Sequence, residues 1–339
     1  MKRFLSLILS CLMVIALSAC GSPTESAGTT DAAVAPTTLK FNLVKSNTDP
    51  QYEWYGRFFQ DVEEATNGTV KTQIYLSESL GKTADVLELA SQGEPVIADC
   101  DVAYLANYVP DFAAVMSPYL IQAPEEGLVL WNSDVFKDLC SQLEEKGLHL
   151  IALNYEGTRN LFTKNPVASR ADVSKLKIRC ASTTMWNAVV GVLNGNATNI
   201  PMSEVYQALS QGVVDGAEGV YSVFYSQKWY ETLKYITKTE HLIGYTAIAM
   251  SSEVYHALPE EARAGLDKVA YDYMEEFLEL SGGVQDEYME KLKAEGVTIT
   301  EIDKAEFIQA AQDIPNNFPD WTPGVYEKLQ EVLESSRKK

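Results

Sequence analysis

Apolar and polar positions along the chain repeat in two rhythms. Residues 39–44, Leu-Lys-Phe-Asn-Leu-Val, alternate with the period of two that marks a half-buried strand, and residues 70–76 do the same. Between them Asp49-Pro50 supplies a helix N-cap and a first-turn proline. Tyr55, Phe58, Phe59, Val62 and Ala65 then fall on one helical face until Asn67-Gly68 stops the run. A second amphipathic helix is predicted over residues 83–92, ended by Gly93, and Val96-Ile97-Ala98 reads as a short buried strand. Strands alternating with helices of this length imply crossover units and a mainly parallel sheet flanked by helices.

The pattern restarts at residue 148. Strands are predicted over residues 148–153, 161–163 and 176–180, followed by a helix from Ser182 with Met185, Trp186, Val189, Val192 and Leu193 three or four apart. Gly195 ends that helix, and another spans residues 203–211. A second α/β unit implies two lobes. From Pro259 onward Leu266, Val269, Tyr273, Phe277, Leu280, Val284, Tyr288 and Leu292 recur with helical spacing until Gly296. At about 1.5 Å per residue such a helix is about 50 Å long, more than one lobe needs, so it spans both. Gly282-Gly283 inside it costs roughly 1–2 kcal/mol relative to alanine. That implies close packing, a hinge, or two helices meeting at the glycines.

The first forty residues set the location. Met1-Lys2-Arg3 precedes an uncharged apolar run over residues 4–17 that leads into Leu17-Ser18-Ala19-Cys20. The run is shorter than a transmembrane span requires and suits a signal peptide over residues 1–19. Leu-Ser-Ala-Cys looks like a lipobox, in which the cysteine takes a diacylglyceryl group and becomes the first residue of the mature chain. The alternative is an ordinary secretory signal with an incidental cysteine. Two or more acyl chains, such as palmitate, would hold Cys20 durably at a membrane face outside the cytoplasm. Residues 20–38, rich in Ser, Thr, Ala, Gly and Pro, read as a flexible leash.

The formal charge is −20, and loss of Lys2 and Arg3 with the signal makes it −22. So negative a chain argues against nucleic acid and against an anionic membrane surface as partner. Beyond Cys20 the cysteines are Cys100, Cys140 and Cys180, without a CxxC, and read as small buried residues. His149, His241 and His256 stand at no metal-ligand spacing, so neither a metal nor a cofactor is expected. GxSxG, a GxGxxG after a strand and a P-loop are all missing from the sequence, which lowers the case for an enzyme. Arginines are scarce, and two stand at strand ends: Arg159 in Gly-Thr-Arg, and Arg179 in Lys-Ile-Arg before the Ser182 helix. A guanidinium fork can hold a carboxylate by two parallel bonds, and ligands in α/β proteins gather at the carboxyl ends of strands. An ion pair within the protein is the alternative for each.

These residues sit in a wider pattern. Glu63-Glu64-Ala65-Thr66-Asn67-Gly68, Ser79-Leu80-Gly81, Gly157-Thr158-Arg159, the run to Arg179, the block from Ser203-Glu204-Val205-Tyr206 to Val214-Asp215-Gly216, and Tyr230-Glu231 through to His241 occur in order. From about residue 41 to 270 the chain resembles the extracytoplasmic solute-binding subunit of TRAP transporters, the tripartite ATP-independent uptake systems (the dicarboxylate-type P subunit family).

The resemblance implies a two-lobed clamp like that of periplasmic binding proteins. Lobe I would comprise residues 39–156 and 245–284, and lobe II residues 157–244 and 285–339, joined by hinge strands and the long helix. It implies that Arg179 forms the main salt bridge to a ligand carboxylate and that Arg159 assists. It also implies contributions from the loop holding Asn47, from Asp101 and Tyr104, and from Met202, where an aromatic residue often lines the pocket. Where the family has Gln-Glu-Asn-Pro, this chain has Ala217-Glu218-Gly219-Val220. Glu218 is kept, with the expected task of orienting Arg179. Gly219 replaces an asparagine that often contacts ligand, and so is expected to open space beside Tyr221, Phe224 and Tyr225 for an apolar or aromatic ligand body; helix core is the alternative for those rings. The function implied is capture of a small organic acid, without turnover, by a monomer that delivers it to TRAP permease subunits. The rivals are a lipid-anchored surface enzyme acting on carboxylates and a ligand-sensing subunit of a signalling system.

Overall fold

The computed structural model describes residues 36–338. Cys20, the signal peptide and the leash as far as residue 35 lie outside the described residues. The strands are β1 (Thr37–Leu43), β2 (Val70–Leu76), β3 (Val96–Asp101), β4 (Leu148–Thr163), β5 (Lys177–Cys180), β6 (Asn196–Asn199), β7 (Gly216–Gly219), β8 (Tyr235–Ser251) and β9 (Thr298–Glu301). They form one sheet of order β2-β1-β3-β8-β4-β7-β5-β6, with β9 on β8. β1 pairs in parallel with β2 and β3, and β5 with β6 and β7, so each lobe holds a parallel three-stranded unit. β4 and β8, antiparallel to each other, join the two units. β3 lies antiparallel on β8 and β7 antiparallel on β4. The result is a two-lobed α/β clamp linked by a pair of long strands.

Local signals explain most elements. The Asp49 side chain accepts from the Gln51 amide and Pro50 opens the Pro50–Ala65 helix, which buries Trp54, Tyr55, Phe58, Phe59 and Val62. The helix expected from Ser182 runs over Thr184–Val192 and is capped by the Thr183 hydroxyl. Residues 148–153 and 161–163, which read as separate strands, are the two ends of β4. Between them lie Glu156, Gly157 and Arg159, and the pairing with β8 shifts at Leu150/Ala152, Tyr155/Gly157 and Arg159/Leu161. Cys100 and Cys180 are buried and Cys140 half-buried, all as free thiols. Among the described residues no helix is long and apolar enough to cross a membrane.

The long helix, Glu260–Ala294, is continuous for 35 residues. Leu266, Ala270, Met274 and Phe277 enter the larger core cluster, whereas Tyr288 and Leu292 enter the smaller one with Phe162, Phe224 and Trp229. One helix therefore ties both lobes. An added Cβ at Gly282 or Gly283 would meet nothing within 4 Å, so close packing does not account for the pair. The tight approach occurs nearby at Gly157 (φ +143°), where a Cβ would stand 2.5 Å from Gln285 Nε2. Ser281 donates to the Tyr155 carbonyl at 2.8 Å beside it.

The end of the chain departs from the expected division. The Val325–Arg337 helix, placed with lobe II by the cut at residue 284, packs on Phe112–Val115, Glu126–Trp131 and Asp134–Glu144 of lobe I. Leu329 and Leu333 are buried in the larger cluster, and Arg337 forms a two-pronged pair with Glu126, Nε to Oε1 at 2.6 Å and Nη2 to Oε2 at 2.8 Å. Helical periodicity shows that a helix buries one face and carries no information about which lobe receives it.

Because open space surrounds Gly282 and Gly283, replacing both with alanine should stabilise the fold by about 1–2 kcal/mol. A denaturant titration reads this as a higher midpoint, and a lower midpoint would contradict it.

Candidate ligand-binding site

Glu156 and Arg159 are three residues apart on β4, and on a regular strand they would face opposite sides. The register shifts on either side of them re-aim the pair. Arg159 Nη1 donates to Glu156 Oε2 at 2.8 Å. β7 brings Glu218 alongside, and Arg159 donates from Nε to Oε2 at 2.7 Å and from Nη2 to Oε1 at 2.9 Å. The Trp186 ring closes the remaining face, 4.5 Å from Arg159 Cζ. Every arm of this buried guanidinium is thus engaged. Burial would push the Glu218 carboxyl up, but the Arg159 charge and bonds overcome it and hold the group down at about 2. His241, wholly buried, bonds Thr239 through Nδ1 at 2.8 Å. Its Nε2 stands 3.6 Å from Glu218 Oε2, beyond hydrogen-bond reach, and burial lowers the imidazole pKa.

The network continues to the end of β1. Lys45 Nζ, also buried, lies 3.5 Å from Asp99 and 3.4 Å from Glu156. Burial alone would depress the ammonium; Asp99 and Glu156 raise it well above the ordinary lysine range.

Arg179 is placed differently. It sits on β5 with 3% of its surface exposed, and its Nε donates to the Ile200 carbonyl at 3.0 Å. No carboxylate among the described residues pairs with it, and no hydrogen bond takes up its terminal nitrogens. Burial lowers its pKa, and Glu218, at longer range, only partly offsets this. An unmatched buried cation is costly unless a counter-ion arrives.

Arg179, Arg159, Asp101, Tyr104, Met202 and Glu218, all expected from the sequence, line one cavity of about 60 Å³. Asp101 ends β3 and accepts from the Ala103 amide at 2.8 Å. Burial raises its carboxyl to about 7, against the pull of Arg159. This group therefore stabilises the fold in acid, and the contribution is lost as pH rises through about 7. Tyr104 is pushed up to about 12 by burial, with the Arg179 charge acting in the opposite sense. Glu78 bridges the rim, accepting from the Thr83 hydroxyl at 3.1 Å and from the Ser203 hydroxyl at 2.7 Å.

Other expectations fail on geometry. Glu218 holds Arg159, not Arg179. Asn47 is exposed and lines no part of the cavity. Its loop is instead tied down across the cleft, where Ser226 donates to Asp49 Oδ2 at 3.1 Å and Thr48 donates to the Ser226 carbonyl at 3.3 Å. Gly219 opens no pocket, because a Cβ there would meet Phe162 at 3.4 Å and Trp229 at 3.8 Å. Phe224 stacks on Phe162 with centroids 4.2 Å apart, and Tyr221 and Phe224 belong to the smaller core cluster. The aromatic ligand body inferred from Gly219 therefore has no room there. Lys45, Glu156, Trp186 and Thr246 escaped the sequence reading. A charge inside an apolar strand, as at Glu156, was the available signal.

Fold and site together define a class, a two-lobed binding protein with a buried arginine lining its cleft. The chain belongs to the bacterial extracellular solute-binding protein family 7, DctP, whose profile matches residues 41–319. It is 29% identical over 262 residues to the C4-dicarboxylate-binding periplasmic protein DctP of Rhodobacter capsulatus, covering 77% of each chain. A solute-binding protein of Chromohalobacter salexigens is 28% identical over 281 residues, 82% of this chain and 83% of that one. Among solved structures, a TRAP periplasmic solute-binding protein from Fusobacterium with bound sn-glycerol-3-phosphate matches with TM-score 0.86 and 31% identity, over 90% of this chain and 99% of the other. Another, from Ochrobacterium anthropi with bound L-fuconate, matches with TM-score 0.85 and 30% identity, over 88% and 100%.

The two arginines should respond unequally to truncation. Arg159→Ala strands buried Glu218, leaves Glu156 with Lys45 alone, and should cost about 3–5 kcal/mol of folding stability. Arg179→Ala strands no carboxylate and should cost at least about 2 kcal/mol less. Denaturant titration of both unliganded variants checks this, and equal losses would contradict it.

Proposed function

We propose that the protein captures a small organic acid between its lobes outside the cytoplasm and delivers it to a TRAP permease, without chemical turnover. The observation that carries this reading is Arg179, buried on β5 with its terminal nitrogens open to the cavity. A carboxylate held by two charge-assisted bonds would neutralise that cation and join the lobes, since Arg179 belongs to lobe II while Asp101 and Tyr104 belong to lobe I. Relatives support the ligand class, one being named for C4-dicarboxylates and another holding L-fuconate. In this reading lobe I is residues 39–156 and 245–284, joined by the Val325–Arg337 helix, and lobe II is residues 157–244 with most of the chain beyond residue 284. The Gly157–Gly244 pair on β4 and β8 lies at both crossings.

The lipobox-like Leu17-Ser18-Ala19-Cys20 and the composition of residues 20–38 support anchoring of a monomeric clamp by lipid on Cys20. A leash of that length lets the clamp open and close while staying near its permease.

Removing the Arg179 guanidinium should cost roughly 2–5 kcal/mol of binding, about thirty-fold or more. Native mass spectrometry of the purified protein identifies the acid, and calorimetry with it measures the loss. Arg179→Lys should rescue only in part, because an ammonium cannot reproduce the planar fork. Unchanged affinity in Arg179→Ala would overturn the assignment.

A further inference from the structure

The charges around the cavity limit what the ligand can carry. Lys45 and Arg159 are already committed to Asp99, Glu156 and Glu218. Among the described residues that line the cavity, Arg179 is the one cation with an open fork. Counting Lys45, Arg159 and Arg179 against Asp99, Glu156 and Glu218, the buried set sums to zero before Asp101 is included. A ligand with one carboxylate meets Arg179. A second anionic group would meet no free cation and would face the carboxylates of Glu156 or Glu218, both of which line the same cavity.

Two further polar groups are unsatisfied. Trp186 Nε1 and Thr246 Oγ1 are buried without a partner, and both residues line the cavity at 1% and 4% exposure. Their pairing with a ligand atom would remove the cost of leaving them unbonded. Trp186 also limits size, because its ring is held over the Arg159 guanidinium. The space left is about 60 Å³, small beside the roughly 300–1,000 Å³ of pockets that take larger ligands.

We propose that the site selects a compact monocarboxylate with a neutral hydrogen-bond acceptor beside the acid group, such as a short 2-oxo or 2-hydroxy acid. Arg179 holds the carboxylate, the Trp186 indole and Thr246 hydroxyl read the acceptor, and the bulk of Trp186 excludes longer sugar acids. The inference rests on the carboxylate reading above and narrows it.

Calorimetry on the full chain with pyruvate, lactate, propionate, succinate, sn-glycerol 3-phosphate and L-fuconate tests it. Pyruvate or lactate should bind at least about thirty-fold more tightly than succinate, glycerol phosphate or L-fuconate. Trp186→Phe keeps the ring and removes the N–H, so it should weaken pyruvate about ten-fold and leave propionate, which lacks the acceptor, unchanged. Trp186→Ala should gain affinity for L-fuconate. If succinate, glycerol phosphate or L-fuconate binds the unaltered protein more tightly than pyruvate and lactate, and Arg179→Ala abolishes that binding, this inference falls while the anion-capture role of Arg179 stands. If none of these acids binds and Arg179→Ala alters no binding to co-purified solute, both fall.

Discussion

The engagement of Arg159 by two buried carboxylates is the constraint on which the site depends. A guanidinium offers five N–H groups, and here Glu218 takes one edge while Glu156 takes another and Trp186 covers a face. Lys45 carries the chain of charge on to Asp99. These buried groups would each be costly alone, and together they are tolerable because every carboxylate in contact has a cation. The consequence falls on Arg179. With Glu218 committed elsewhere, Arg179 is buried with no carboxylate among the described residues paired to it, and the proposed ligand acid would supply one.

The fold supplies this arrangement through two long strands. β4 carries Glu156 and Arg159 at the place where its register shifts, next to the Gly157–Gly244 pair and under the long helix at Ser281 and Gln285. The residues that hold the charge network are therefore also those at which the chain crosses between lobes. Lobe II brings Arg179 on β5 and Trp186 on the helix after it, and lobe I brings Asp101 and Tyr104 from the end of β3. Rim contacts such as Glu78 with Ser203 and Lys82 with Glu204, at 2.8 Å, tie lobe to lobe around the cavity. Contacts across the rim thus surround the same cavity that Arg179 and Asp101 line.

What could be read in the sequence was local. Asp49-Pro50, Thr183 and the glycines at helix ends act through neighbours in the chain, so the helices and the parallel units were legible. The strand-end pattern singled out Arg159 and Arg179 alike, and only the family resemblance separated the two. The pairing of Arg159 with Glu218 was not legible, since they are 59 residues apart and no periodicity connects them. For the same reason Lys45 and Asp99 left no pattern, Glu156 left only a charge inside an apolar strand, and Trp186, correctly expected to be buried, gave no hint that its indole N–H faces no partner. Gly219 misleads because a missing side chain reads as space for ligand, whereas Phe162 and Trp229 fill that space from other strands and turns.

A crystal structure of the protein with its co-purified acid measures the central claim directly. The account predicts the carboxylate on the terminal nitrogens of Arg179, with Arg159 still bound to Glu218 and Glu156. A carboxylate seated on Arg159, with Glu218 displaced and Arg179 unliganded, would contradict it.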